Sequence, residues 1–355
     1  MRAIPLILAV ICILSTAMQL IAAKHWWVRI FDFPHLQLTI VTFIAFLTLL
    51  FSIDYSKIIE LLIIILLGIS LIYQIIIIYP YTPIAKKQIV STNTKNSDAS
   101  IRVFSANVLQ DNRDFDAFSK VFEKANPDIA VLLETNAWWQ NKIQPYKVDY
   151  PYTVEYPLEN LYGIILLSKF KLKDAEVKFL IDDEIPSIHG SVQLKNGTWV
   201  KLHCLHPMPP APNENEKSLD RDAEILLVAK EVKEENFPLM VLGDLNDVAW
   251  SHTTRTFQRI SQLLDPRIGR GFYNTFHVDY FLFRWPLDHL FVSEDFKLAE
   301  LKRLETIGSD HFPIFAELCH VYHAEENTKP DDASKEDEKE AEETIEQGLE
   351  ENSGR

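Results

Sequence analysis

The chain has 355 residues, 35 of them basic and 50 acidic, for a formal net charge of −15, and 47% of it is hydrophobic. Thirteen acids against four bases in residues 324–355 account for −9 of that charge and leave −6 for everything before them. The acidity is therefore the tail's, and no basic run is visible, which argues against a protein that grips nucleic acid mainly by charge but not against an enzyme acting on phosphates.

Three apolar stretches open the chain, at 4–23, 36–53 and 58–79, the last interrupted only by Glu60 and Gln74. A bilayer core takes about 20 apolar residues in a helix, so residues 1–80 are expected to form three transmembrane helices. The first stretch also reads as a cleaved signal, with Arg2 ahead of it and Ala22 and Ala23 behind. Lys24, Trp26, Trp27 and Arg29 resemble an interfacial belt between the first two spans. An odd number of spans behind a short N-terminus exports the domain beyond them, which favours an exocytoplasmic one. The loop charges lean the other way, with Arg2 and Lys57 inside against Lys24, Arg29, Lys86 and Lys87 outside.

Residues 81–100 read as a polar linker. From 101 the pattern is α/β: IRVFSANV, DIAVLLE, GIILLS, SIHGSVQL, WVKLHCLH, PLMVLGDLN, LDHLFVS and HFPIFAEL are strand-like. Helices fit DFDAFSKVFEKANPD and residues 219–232, where Asp220 and Asp222 mark the start. About 220 residues suffice for one domain with a full core. Cys12, Cys204 and Cys319 rule out a disulfide scaffold and read as small buried hydrophobes. The tail, charged and nearly free of apolar residues, is expected to be disordered.

Polar residues recur at the ends of these strands, where α/β sheets place their sites. Asn107 ends the first strand and Glu134 the second. His206 ends a later one, Asp244 and Asn246 follow PLMVLG, Asp288 and His289 follow a Trp-Pro turn, and Ser309, Asp310 and His311 precede the last strand. One such carboxylate is more often a cap or turn residue than a ligand. Six clusters at successive strand ends form a pattern that separate accidents do not explain. His203 competes with His206, and the latter is favoured because it leads into Pro207 at the strand end. Arg221 reads as an exposed helical residue. Trp138, Trp139 and Trp250 read as core or cleft rim, and Arg255, Arg259, Arg267, Arg270 and Arg284 as a modest basic cluster near the site.

The ordered set SANV, LLET, YGIILLSK, LHPMPP, GDLND, LDHLFVS and GSDHFPI resembles the endonuclease/exonuclease/phosphatase superfamily, with its DNase I-like fold, over essentially all of residues 101–320. The resemblance implies a four-layer α/β sandwich behind the transmembrane region, and a Mg²⁺- or Mn²⁺-dependent phosphoesterase. It assigns Asn107, Glu134 and Asp310 to the metal. Asp244 would orient or deprotonate the attacking water, Asn246 would hold the phosphate or that water, and His206 would stand in the site. His311, kept protonated by Asp288, would contact the phosphoryl oxygen. A hard cation held by a few oxygens suits a reaction that must neutralise phosphoryl charge. Members with spans ahead of the catalytic domain place the protein in a bacterial inner or plasma membrane. The substrate stays open between nucleic acid and a lipid-linked phosphate or phospholipid head group, with a non-catalytic binding module as a third reading. No obligate protein partner is inferred.

Overall fold

The computed structural model describes residues 3–95, 97–212, 214–322 and 326–353. It opens with α1 (Ala3–Gln19), the one-turn α2 (Trp26–Arg29), α3 (His35–Ser52) and α4 (Ile58–Ile78). The three longer helices share a seam of Ala9, Cys12, Ala45, Leu49 and Leu67, while Ile40, Phe43, Ile44, Ile65, Ile69 and Ile72 point outward. Among the described residues two helices, α3 and the segment Ile58–Tyr81, are long and apolar enough to cross a membrane. The expected first span is shorter: α1 has 17 residues, about 26 Å of helix against a core of about 30 Å. It ends at Gln19, whose Nε2 donates to the carbonyl of Phe31 at 2.7 Å, so the chain turns there instead of extending to Ala23.

Residues 81–100 are not a free linker. Ile89 is fully buried in the central core, and Val90 and Thr92 exchange backbone hydrogen bonds with Leu298.

Eleven strands follow among the described residues: β1 (Ser100–Asn107), β2 (Ile129–Leu133), β3 (Tyr152–Tyr156), β4 (Ile164–Ser168), β5 (Leu172–Phe179), β6 (Pro186–Gln193), β7 (Trp199–Leu205), β8 (Leu239–Asp244), β9 (Asp288–Val292), β10 (Phe296–Arg303) and β11 (Ile314–His320). They form a six-stranded sheet, β10-β11-β1-β2-β4-β3, and a five-stranded one, β5-β6-β7-β8-β9. Interspersed are α5 (Phe115–Ala125), α6 (Ala137–Lys142), α7 (Leu219–Lys233) and α8 (His252–Ser261), and α9 (Lys335–Asn352) closes the chain.

Alternation along the strands builds the layers. In β1 and β2, Ile101, Val103, Ile129, Val131 and Leu133 face the other sheet, while Phe104, Ala106, Ala130 and Leu132 meet Phe118, Val121 and Phe122 of α5. In β8, Met240 and Leu242 point inward and Leu239 and Val241 meet α7. The result is the expected helix–sheet–sheet–helix sandwich. All three cysteines are buried and free.

The tail departs from expectation. Ser334 caps α9 with a reciprocal Ser334–Asp337 capping box, and Ala341, Thr344, Ile345 and Gly348 lie buried at helical spacing against the α7 side of the core. Its acids meet bases already there: Arg259–Asp337 at 2.6 Å, Lys233–Glu338 at 2.6 Å and Lys230–Glu342 at 2.7 Å. A narrow seam of small and apolar residues docks a helix whose other faces are mostly charged. Residues 324, 325, 354 and 355 of the tail lie outside the described residues.

Candidate active site

Strand register brings the singled-out residues to one edge of both sheets. β1 and β2 run parallel, with Asn107 opposite Leu133, so Glu134 emerges beside Asn107. β7 and β8 run parallel, with Leu205 opposite Gly243, so His206 and Asp244 emerge together. The antiparallel β9 and β11 add the starts of their strands at the same edge, Asp288 opposite Asp244 and Ile314 opposite Ser105. Gly243 is obligatory there: at φ +140° a Cβ would sit 1.9 Å from the carbonyl oxygen of Leu205.

His311 is the electrostatic centre. Its Nδ1 lies 2.8 Å from Asp288 Oδ2 and its Nε2 3.5 Å from Asp244 Oδ2, all three buried. Burial favours the neutral ring, but Asp244 and Asp288 together outweigh it and hold the pKa up at about 10. Burial also pushes the Asp288 carboxyl up, against the pull of His311. The proton belongs on the imidazole, because one ring answers two carboxylates and Nδ1 is positioned to donate to Asp288. Asp244, Asp288 and His311 are close enough to cage an ion, yet a protonated ring has no lone pair to give. Beside them His206 stands 3.9 Å from Asp244, and burial, only partly opposed by Asp244, lowers its pKa to about 4. His203, the alternative, points away and pairs with His189 at 2.8 Å.

Asn107 ties the two halves together. Its Nδ2 donates to Glu134 Oε1 at 2.7 Å and to Asp244 Oδ2 at 3.2 Å, while its Oδ1 accepts from the Leu109 amide. Expected as a ligand, it presents its nitrogen to both carboxylates in this structure. Glu134 is half-buried in the site without a Lys or Arg partner among the described residues. Burial raises its pKa to about 7 despite the Asn107 hydrogen bond, and Asp310 pushes the same way. The carboxylates of Glu134 and Asp310, lining one cavity and with no Lys or Arg hydrogen-bonded to Glu134 among the described residues, fit a hard divalent cation. Asp310 is held from behind by Ser309, whose hydroxyl donates to the Asn107 carbonyl at 2.8 Å.

Asn246, at φ 52°, turns its amide to the Pro207 carbonyl at 3.0 Å and receives Arg221 on its own carbonyl at 2.8 Å. Arg221 is no exposed helical residue. It is 2% exposed and ion-paired to Asp222 at 2.8 Å and Asp247 at 3.4 Å, bracing the loop that carries Asp244 and Asn246. His289 hydrogen-bonds locally, to the Asp247 carbonyl and to Arg267. Trp139 and Trp250 are core.

The basic cluster expected near the site dissolves. Arg259 and Arg267 are consumed by Asp337 and Asp265, and Arg255, Arg270 and Arg284 donate to backbone carbonyls. None of the five lines the cavity of ≈ 760 Å³ that covers the site. That cavity is lined instead by residues the strand-end pattern could not signal: Tyr162, Phe276 and Trp285 from loops, and Trp26, Arg29 and Phe33 from the helical region.

Comparison with known proteins places the fold in a family. Residues 100–311 match the model of the Endonuclease/Exonuclease/phosphatase family. Solved structures similar to this one include the human Nocturnin catalytic domain with bound sulfate (17% identity, 66% of this chain and 98% of that one, TM-score 0.51). Others are D. rerio TDP2 complexed with a single-strand DNA product (15%, 62% and 99%, 0.51) and an endonuclease/exonuclease/phosphatase from Beutenbergia cavernae (15%, 63% and 72%, 0.51). At these identities the likeness is one of fold. No curated protein matches the sequence.

Proposed function

The chain belongs to the endonuclease/exonuclease/phosphatase family and is a phosphoester hydrolase, and from that premise we propose that it is a divalent-metal-dependent one, held at a membrane by its N-terminal helices. The observation that carries this reading is the protonated His311 between Asp288 and Asp244, lining one cavity together with the carboxylates of Glu134 and Asp310.

In this reading Glu134 and Asp310 hold Mg²⁺ or Mn²⁺, with Asn107 fixing the Glu134 carboxylate. The cation supplies charge neutralisation at the phosphoryl oxygens. Asp244, gripped by Asn107 and by the Asn246 amide at 2.9 Å, orients the attacking water and accepts its proton. His311 donates from Nε2 to a phosphoryl oxygen as charge develops, with Asp288 fixing the ring. Asn246 and His206 line the phosphate side of the cavity, His206 as a neutral ring. A catalytic domain on the exocytoplasmic face remains part of this proposal.

The test uses the full chain in detergent with bis(p-nitrophenyl) phosphate. EDTA should abolish hydrolysis and Mg²⁺ or Mn²⁺ restore it, while Glu134→Gln should cost on the order of 10³ in rate. Undiminished turnover in EDTA or in the variant would overturn the metal assignment.

A further inference from the structure

The cavity above the site has two unlike sides. Its floor is the polar set just described. The opposite wall is aromatic and aliphatic, built by Ile30, Phe33 and Pro34 from the turn before α3 and by Phe276, Phe283 and Trp285 from the loop before β9. Phe276 lies 4.9 Å from the His311 ring and 6.1 Å from Trp285, and Trp285 meets Phe33 edge-on at 5.7 Å. A run of rings therefore leads from the reacting centre to the apolar helices.

Wall and helices are joined by specific bonds. Trp250 Nε1 donates to the Asp32 carbonyl at 2.7 Å, and Gln37 of α3 donates to the Leu282 carbonyl at 2.8 Å. At that second junction Tyr280, Phe281, Leu282 and Phe283 are 59, 78, 68 and 55% exposed, beside a helix whose Ile40, Phe43 and Ile44 also face outward. A loop tip of four consecutive large apolar residues is costly in water and suited to the interfacial zone of a bilayer. Nucleic acid asks for the reverse, a track of cations along its backbone. Among the described residues lining the cavity Arg29 is the one Lys or Arg, and it is paired with Asp32 at 3.1 Å.

We propose that the substrate is a bilayer-resident lipid phosphoester. Its phosphate reaches the carboxylate floor while its hydrocarbon stays against the Phe33–Trp285–Phe276 wall, with the 280–283 tip dipped into the membrane beside α3. The inference rests on the phosphoester-hydrolase reading above. The water oxygen bonds to phosphorus as the P–O bond to the leaving group breaks. The proton taken by Asp244 returns to the leaving oxygen, and no further reactant is needed.

The full chain, reconstituted in phosphatidylcholine vesicles with Mg²⁺ or Mn²⁺, is assayed on five sets of probes. These five sets are bis(p-nitrophenyl) phosphate, a dioleoyl and dihexanoyl phosphatidylglycerol pair, a long-chain polyprenyl diphosphate with its short-chain counterpart, a single-stranded oligonucleotide and plasmid DNA. The expected result is a long-chain lipid cleaved with kcat/KM about 100-fold above its short-chain counterpart and above either nucleic acid. Phe283→Ala and, separately, Phe33→Ala should each lower that long-to-short ratio about tenfold. Hydrolysis of the chromogenic ester with no chain-length preference, or with DNA preferred, overturns the lipid assignment and leaves the phosphoesterase standing. Inertness toward every probe with either metal overturns the phosphoesterase and the lipid assignment with it.

Discussion

The floor and the wall of the cavity come from different parts of the chain and are held by different forces. The floor is polar, set by β-sheet register and by interlocking hydrogen bonds among buried ionisable groups. It lies wholly within the residues matched by the family. Part of the wall lies outside that match, in the turn that carries Ile30, Phe33 and Pro34, and it is held by ring contacts and two bonds to backbone carbonyls. Reaction chemistry, which tolerates little displacement of charged groups, sits on strand ends. The proposed selection of the apolar part of a substrate would sit on a turn and a loop, where substitution leaves the sheets intact.

Changes to the floor should be the more damaging. Beyond Glu134→Gln, the largest expected effect is on stability: Arg221→Met leaves Asp222 and Asp247 buried without their cation, at a cost of about 3 kcal/mol or more, read as a fall in thermal midpoint in detergent. Unchanged stability would mean Arg221 does not brace the Asp244 loop.

His311→Gln comes next, with a loss of about 100-fold in kcat. Here pH gives the sharper test. The ring's pKa is raised from 6.5 to about 10, so the stabilisation from its ion pairs is complete below the ordinary value and is lost as pH rises through about 10. Wild-type activity and stability should decline together on that alkaline limb, and the variant should lack the limb. A wild-type profile falling near pH 6.5 would show that Asp288 and Asp244 do not hold the proton on the ring.

The smallest effect belongs to the periphery. A Cβ at Gly348 would lie 2.6 Å from that of Ala223, so Gly348→Leu should loosen α9 at about 1–3 kcal/mol and speed proteolysis of the tail. An unaltered digestion rate would mean the seam is not what docks it.

Much of the floor is legible in the sequence because each of its residues flanks an apolar strand, a signal with period two and a polar end. The strands that lack this signal are β3, β5 and β10, three of the four sheet edges. Edge strands carry charge, as KDAEVKF in β5 and KLAELKR in β10 do, and so lose the apolar run that betrays a central strand. β9, the fourth edge, is fully buried and keeps its apolar run. The docked tail is masked for a similar reason: five small or apolar positions in 18 residues are outvoted by acids in any composition count. Arg221 and the cavity wall illustrate a deeper limit. A partner 26 residues away in Asp247, or a turn some 250 residues from Trp285, leaves no local trace, since only the folded topology makes them neighbours.

Glu134 and Asp310 are proposed to hold the cation on which hydrolysis depends. The most direct test of that proposal is the rate of bis(p-nitrophenyl) phosphate hydrolysis by the full chain as Mn²⁺ is titrated, for the wild type beside Glu134→Gln. The wild type should rise saturably from a metal-free baseline near zero, and the variant's curve should move to much higher Mn²⁺ with a plateau far below the wild type's. Superimposable curves would contradict it.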